Sequence, residues 1–313
     1  MQPLMPPRVD GSLPQHRPLL ALVIRLGAIA ALATMSALIK LASQRHIHLL
    51  EIMFWRQSIS LPLILAWLAG TGRLGMLRTQ RPTTHFLRAV YGTIGMICNF
   101  GAVILLPLAE ATTMAFTAPI WAVMLAMVLL KDKIGPWRWS AVALGFAGVL
   151  VIAQPGSGDI PLFGAAVALG GAFMVALISI QIADLNRTDK PVTIVFYFAL
   201  FSAPLAALAL PWVMTAHDAT GWLLLCLIGV TGVIGQLLLT AALRFGAVAS
   251  VIVMDYSSLF WATIYGWLWF DSLPPASTWL GAPLIIAAGV VIAWREHRLS
   301  RPTLRDIARA EGT

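Results

Sequence analysis

Two ionisable side chains lie deep within apolar runs of this 313-residue chain: Arg56 and Asp255. Arg56 comes seven residues into a run that begins near residue 49, and Asp255 about eight residues into one that begins near 248. At 1.5 Å per residue these depths are about 10 and 12 Å. A guanidinium held there is a planar fork suited to a carboxylate or phosphate; the same fork also serves an ion pair with Glu51 or a clamp on backbone carbonyls. Asp255 could bind an amine or exchange a proton, or, protonated, bond a neighbouring helix. The two approach the middle from opposite sides, about 10 Å apart along the helix direction, so facing one cavity they could hold both ends of a zwitterion.

Asn99 and Gln236 are mid-run amides able to bond a solute or a second helix. Trp55, Trp121, Tyr256 and Trp261 could wall a cavity or stack on a ring or cation, or simply pack. The candidate substrate-binding set is therefore Arg56, Asp255, Trp55, Asn99, Trp121, Gln236, Tyr256 and Trp261, with Asp255 the candidate for proton coupling. No catalytic residue, metal site or cofactor is indicated.

These residues must be positioned by ten apolar stretches, near 19–41, 49–69, 86–106, 111–130, 137–153, 160–183, 191–211, 220–242, 248–270 and 276–294. Hydrophobic residues make up 59% of the chain and charged residues only 11%, so a soluble core is excluded and an all-α polytopic membrane protein is indicated. With the N-terminus inside, the cytoplasmic segments carry sixteen basic residues: Arg8, Arg17, Arg73, Arg78, Arg81, Lys131, Lys133, Arg138, Arg187, Lys190, Arg244 and five arginines after Trp294. The outer loops carry only Arg45, and Arg25, Lys40, Arg56 and Arg88 lie within the runs. That bias predicts both termini inside the cell inner membrane. It also accounts for the net charge of +8 without nucleic acid.

Nine tryptophans (67, 137, 139, 212, 222, 267, 269, 279 and 294) fall near run ends, as an interfacial belt does. Arg25 and Arg88 lie near the cytoplasmic surface and are read as snorkelling. Lys40 and Glu51 flank one hairpin and are read as an ion pair, while Glu110 suits the N-terminus of the fourth run. Pro62, Pro119, Pro204 and Pro283 can kink their helices.

The chain also repeats itself. Phe54-Trp55, Ser60 and Pro62 overlie Phe196-Tyr197, Ser202 and Pro204; Gly92, Gly95 and Asn99 overlie Gly229, Gly232 and Gln236; Asp132 and Gly148 have counterparts in Asp271 and Gly289. Five runs per half is an odd number, so the halves enter the membrane in opposite senses, the geometry of alternating-access transporters. The expected organisation is a disordered lead-in (1–18), a first five-helix repeat (19–153), an outer linker (154–159), a second repeat (160–294) and a basic tail (295–313).

Pro107-Leu108-Ala109-Glu110-Ala111-Thr112, Phe116-Thr117-Ala118-Pro119, Leu130-Lys131-Asp132 and Gly145 to Val149 resemble the first half of EamA-type transporters of the drug/metabolite transporter superfamily. Tyr256 to Leu259, Gly266 to Asp271 and Gly281 to Gly289 resemble the second. The family usually has glutamate where this chain has Asp132 and Asp271. The resemblance implies ten helices in two inverted repeats, a central cavity and transport of a small organic solute, amino-acid-like and outward in the first instance. Uptake of a cofactor-like solute such as S-adenosylmethionine or riboflavin is the alternative, and a non-transporting structural or receptor-like protein is the alternative of another class. Enzymatic function is not expected, because paired carboxylates, metal-spaced histidines, nucleophile elbows and phosphate-cradling loops are missing. Ten helices can enclose a cavity alone, so a monomer is adequate, without excluding a dimer.

Overall fold

The computed structural model describes residues 18–130, 136–154, 161–185, 188–245 and 253–299, and every regular element among them is helical. These are α1 (Pro18–Gln44), α2 (Leu49–Gly70), α3 (Pro82–Leu105), α4 (Leu108–Ala115), α5 (Ala118–Leu130), α6 (Pro136–Ala153), α7 (Leu162–Leu185), α8 (Pro191–Ala207), the single turn α9 (Leu210–Val213), α10 (Ala219–Phe245), α11 (Ser258–Phe270) and α12 (Ala276–Leu299). Short 3-10 turns occupy Leu74–Leu77 and Val253–Ser257. Six helical spans are long and apolar enough to cross a membrane, and three further apolar helices are shorter. The lead-in, residues 131–135 with Asp132, the 155–160 linker, Arg187 and the tail beyond 299 lie outside the described residues.

Local chemistry sets the boundaries. Pro82 and Pro191 open α3 and α8, where a missing N–H costs nothing. The fourth apolar stretch, expected as one helix, is two. Pro119 has no N–H to give to the carbonyl of Ala115, so α4 ends in tight bonds from Phe116 N to Thr113 O and Thr117 N to Met114 O, both 3.1 Å, before α5 restarts. Asp255, expected on a helix, lies in the 3-10 turn ahead of α11.

The packing has a twofold character. The most extensive contacts join α1 to α10 and α3 to α7, then α6 to α12 and α2 to α8. Exchanging α1, α2 and α3 for α7, α8 and α10 converts each of the first two pairs into the other and maps α2–α8 onto itself. One core cluster surrounds Met35, Ile52, Phe100, Phe198 and Ile228, between α1, α2, α3, α8 and α10. A second lies among α4, α6, α7, α11 and α12. All nine tryptophans near run ends are exposed on the outside, whereas Trp55, Trp121 and Trp261 are half-buried.

Backbones of α6 and α12 touch where glycines face each other: a Cβ on Gly148 would lie 2.8 Å from Gly281 O, and one on Gly281 would lie 2.6 Å from Gly148 O. Gly148→Ala should therefore force the helices apart and destabilise by about 1–3 kcal/mol. Gly70→Ala, with no neighbour within 4 Å, should leave the melting temperature of purified protein nearly unchanged.

Candidate functional site

Arg56 projects from α2 into the first core cluster and is 3% exposed. Its Nε donates to Met35 Sδ at 3.3 Å, and its Nη1 to Gln57 Oε1 at 2.8 Å and Met96 Sδ at 3.2 Å. The guanidinium carbon stands 5.7 Å from the Phe100 ring centre. The alternative ion pair with Glu51 does not form: Glu51 Oε1 is bonded to His217 Nε2 at 2.5 Å. Gln57 Nε2 donates to Ser202 Oγ at 2.5 Å and Ser202 in turn to Phe198 O, tying α2 to α8 behind the arginine.

Arg88 departs from expectation. It does not snorkel to the surface but is 6% exposed, with its guanidinium 4.4 Å over the Phe198 ring. The room comes from Gly92, where a Cβ would lie 2.2 Å from Arg88 Nη1 and 2.4 Å from Phe198 Cε2. Gly232 serves Arg56 likewise, at 3.0 Å from Nε. Gly92 and Gly232 thus make space for cations, whereas Gly95 and Gly229 face Ile178 and Ile59 of neighbouring helices. A signal existed in the sequence: Arg88, Gly92, Gly95 and Asn99 fall on one helix face, which is the packed face and not the lipid face.

Asp255 is elsewhere. Its two oxygens accept from Arg25 Nε at 2.7 Å and Arg25 Nη2 at 2.6 Å, a bidentate pair between α1 and the 3-10 turn. Arg25 is also buried, at 7% exposed, so it too does not snorkel. Asp255 is at the level of Arg25 on α1 and Arg56 at the level of Met35, ten residues further on or about 15 Å. In this conformation the two do not face one solute, and the carboxylate offered for proton exchange is held by a guanidinium.

The other candidates are spread through the bundle. Asn99 Nδ2 donates to Gly95 O at 2.7 Å and Gly171 O at 3.4 Å, a helix–helix bond from α3 to α7. Gln236 on α10 is likewise engaged. Trp121 meets Phe146 and Phe173 edge-on, and Trp261 stacks on Tyr265. Tyr256 meets Phe116 edge-on and its hydroxyl occupies the space a Cβ of Gly289 would need. Lys40 does not pair with Glu51; its ammonium donates to the carbonyls of Val103 and Leu106 that end α3. Glu110, in the first turn of α4, accepts from Thr278 Oγ1 at 3.2 Å.

Each end of the α2/α8 pair carries a clasp. At one end Trp55 meets Trp222 with ring centres 4.8 Å apart, beside Glu51–His217 and the exposed Arg45–Asp218 pair at 3.4 Å. At the other, Tyr197 meets His85, also at 4.8 Å, beside His85–Asp189 at 3.7 Å and Arg81–Asp184 at 2.5 Å. The match that lays Trp55 on Tyr197 and the one that lays Gly92 on Gly229 also lay His85 on Trp222. The two aromatic contacts are therefore repeat counterparts. Next to the second clasp is an open cleft of about 1070 Å³ lined by Arg78, Thr79, Arg81, Thr188 and Asp189.

A model of the EamA-like transporter family matches residues 19–154 and again 162–294. The chain belongs to this family. A riboflavin transporter of Vibrio cholerae is 30% identical over 92% of this chain and 97% of its own length. The pseudopaline exporter CntI of Pseudomonas aeruginosa is 30% identical over 83% of this chain and 91% of its own. An S-adenosylmethionine uptake transporter of Rickettsia bellii is 25% identical over 80% and 86%. A crystal structure described only as that of a protein shares the fold at a TM-score of 0.62 and 19% identity, over 91% of this chain and 100% of the other. The EamA-like protein is therefore a multi-pass transporter of a small solute in the bacterial inner membrane, and not an enzyme.

The Asp189 carboxylate is the pH-sensitive group of the second clasp. Burial pushes its carboxylate up, but hydrogen bonds from Thr188 and Thr79 and the facing His85 outweigh that and hold it below the ordinary value. A depressed carboxylate stabilises fully above its unfolded pKa of about 3.9 and loses that contribution as pH falls through the lower folded value. Hydrogen-exchange protection factors of the 74–82 segment, corrected for the intrinsic pH dependence of exchange, should fall on acidification through that range, and Asp189→Asn should abolish this fall. Separately, Asp255→Ala should cost about 1–3 kcal/mol in melting experiments, less than a fully enclosed pair because Asp255 is 36% exposed.

Proposed function

We propose that this EamA-like protein is a secondary transporter that moves a small, carboxylate-bearing, amino-acid-like solute outward by alternating access. The observation that supports this reading most is Arg56: a buried cation on α2, at the junction of the two halves, with no carboxylate partner among the described residues. A solute carboxylate would supply the acceptors that two thioethers and one amide oxygen supply poorly. Ten crossings with both termini cytoplasmic are part of the proposal, supported by the charge bias and the odd repeat. The clasps at the two ends of α2 and α8 are the contacts that must part in turn as the halves exchange conformations.

Proton coupling is assigned to Asp255, whose two oxygens Arg25 holds in this conformation and would have to release during the cycle. Asp255→Asn should then abolish pH-driven flux in liposomes while solute binding persists; coupling that survives the change would remove Asp255 from the cycle.

The relatives support a second reading. Proteins named for riboflavin and for S-adenosylmethionine align over most of this chain, and the aromatic groups at Trp121 and Trp261 suit a ring-bearing solute. A thermal-shift screen of purified protein against amino acids, nucleosides and vitamins, followed by counterflow with each hit, separates the two. Stabilisation by carboxylates that is lost in Arg56→Gln, with a fall in apparent affinity of at least about tenfold, is the expected outcome. Riboflavin stabilisation untouched by Arg56→Gln would select the second reading, and no solute-dependent shift or flux would leave the receptor-like class.

A further inference from the structure

Arg88 has no part in the one-carboxylate site at Arg56. It is as deeply buried as Arg56, and its Nε and Nη1 have no hydrogen-bond partner among the described residues. Neither arginine makes an ion pair among those residues. They also lie close together. Arg88 reaches along α3 to Gly92 and Arg56 reaches across to Met96, four residues further, or about 6 Å. At such a separation two like charges repel each other. Two adjacent, unneutralised charges away from water are unfavourable, and proteins keep such arrangements where an anion is to be bound.

The surroundings point the same way. The guanidinium carbon of Arg88 stands 4.4 Å from the Phe198 ring centre and that of Arg56 5.7 Å from the Phe100 ring centre, while Arg88 Nε and Nη1 are left without an acceptor among the described residues. The acceptors now on Arg56 are mostly thioether sulfurs, which are weak and yield to oxygen. One carboxylate fills one fork; two forks about a helical turn apart call for a second set of charged oxygens.

We infer that Arg56 and Arg88 form a single site for a doubly charged oxyanion, a phosphate monoester or a dicarboxylate, carried on the transported solute. This rests on the transporter reading and narrows its substrate class. The solute would bridge the forks between α2 and α3, directly beside the α8 residues Phe198 and Ser202 that link the two halves.

The test uses purified full-length protein in nanodiscs at fixed ionic strength, with glycerol phosphate, glutarate and the monoanion butyrate as probes. Both dianions, or one of them, should raise the melting temperature where butyrate does not; which one does so identifies the phosphate or dicarboxylate source. Arg88→Gln should weaken dianion binding at least tenfold, and Arg88→Lys, which keeps a charge but loses the fork, should recover only part of it. Arg88→Met gives an independent sign: relief of an uncompensated charge should raise the melting temperature of ligand-free protein while removing the dianion response. A lower melting temperature in Arg88→Met with dianion binding intact would make Arg88 structural and overturn the inference. Equal stabilisation by butyrate would also overturn it, leaving Arg56 as a one-carboxylate site. Counterflow of any solute that ignores both dianions and Arg88→Gln would sink the paired site alone, whereas absence of flux for every solute would sink the transporter reading itself.

Discussion

A guanidinium that cannot reach water must be compensated inside the protein, and this constraint organises the middle of the bundle. Arg56 and Arg88 occupy volume that glycines at 92 and 232 leave open, against aromatic faces at Phe100 and Phe198. The Gln57–Ser202 bond joins α2 to α8 immediately behind them. Packing density would be easier to achieve with two leucines. Keeping two cations there imposes small residues on α3 and α10 and polar ones on α2 and α8, so these otherwise unrelated choices follow from one electrostatic demand.

The other buried charges of the bundle are handled differently. Arg25 takes both oxygens of Asp255, Glu51 takes His217, and Lys40 takes the carbonyls that α3 leaves unbonded at its end. The first two pair a basic with an acidic group and the third solvates an ammonium with carbonyls, and each fastens a helix to a neighbour distant in sequence. The Arg56–Arg88 pair stands out because the described residues around it provide no such acid. Both arginines belong to the first half but lie against Phe198 and Gly232 of the second, which connects what they would bind to the relative motion of α2 and α8.

The twofold character of the packing explains the matching clasps at the ends of those helices. Trp55 on Trp222 and Tyr197 on His85 are the same contact made twice, once in each sense of the repeat, with a histidine–carboxylate contact beside each. The ring types differ, so the ends are equivalent in geometry but not in chemistry. One end includes the depressed carboxylate of Asp189, and the other the fully enclosed Glu51.

The apolar stretches, their repeat and the exposure of nine tryptophans near run ends were legible in the sequence, because hydrophobic length and composition are set by the bilayer and need no partner. The family followed from short motifs that lie along the chain. Which charges meet was not legible. Arg25 and Asp255 are 230 residues apart, and Glu51 and His217 are 166 apart, so their pairing depends on which helices the fold places side by side. Hairpin proximity suggested Lys40 with Glu51, yet both side chains turn to other helices. Depth along a helix suggested snorkelling for Arg25 and Arg88, but depth does not specify whether a face looks at lipid or at protein. The sequence alone determined that the chain lives in a membrane, in two related halves. Only tertiary structure decided which arginine has an acid and which pair has none, because a charge is neutralised by what lies across from it in space.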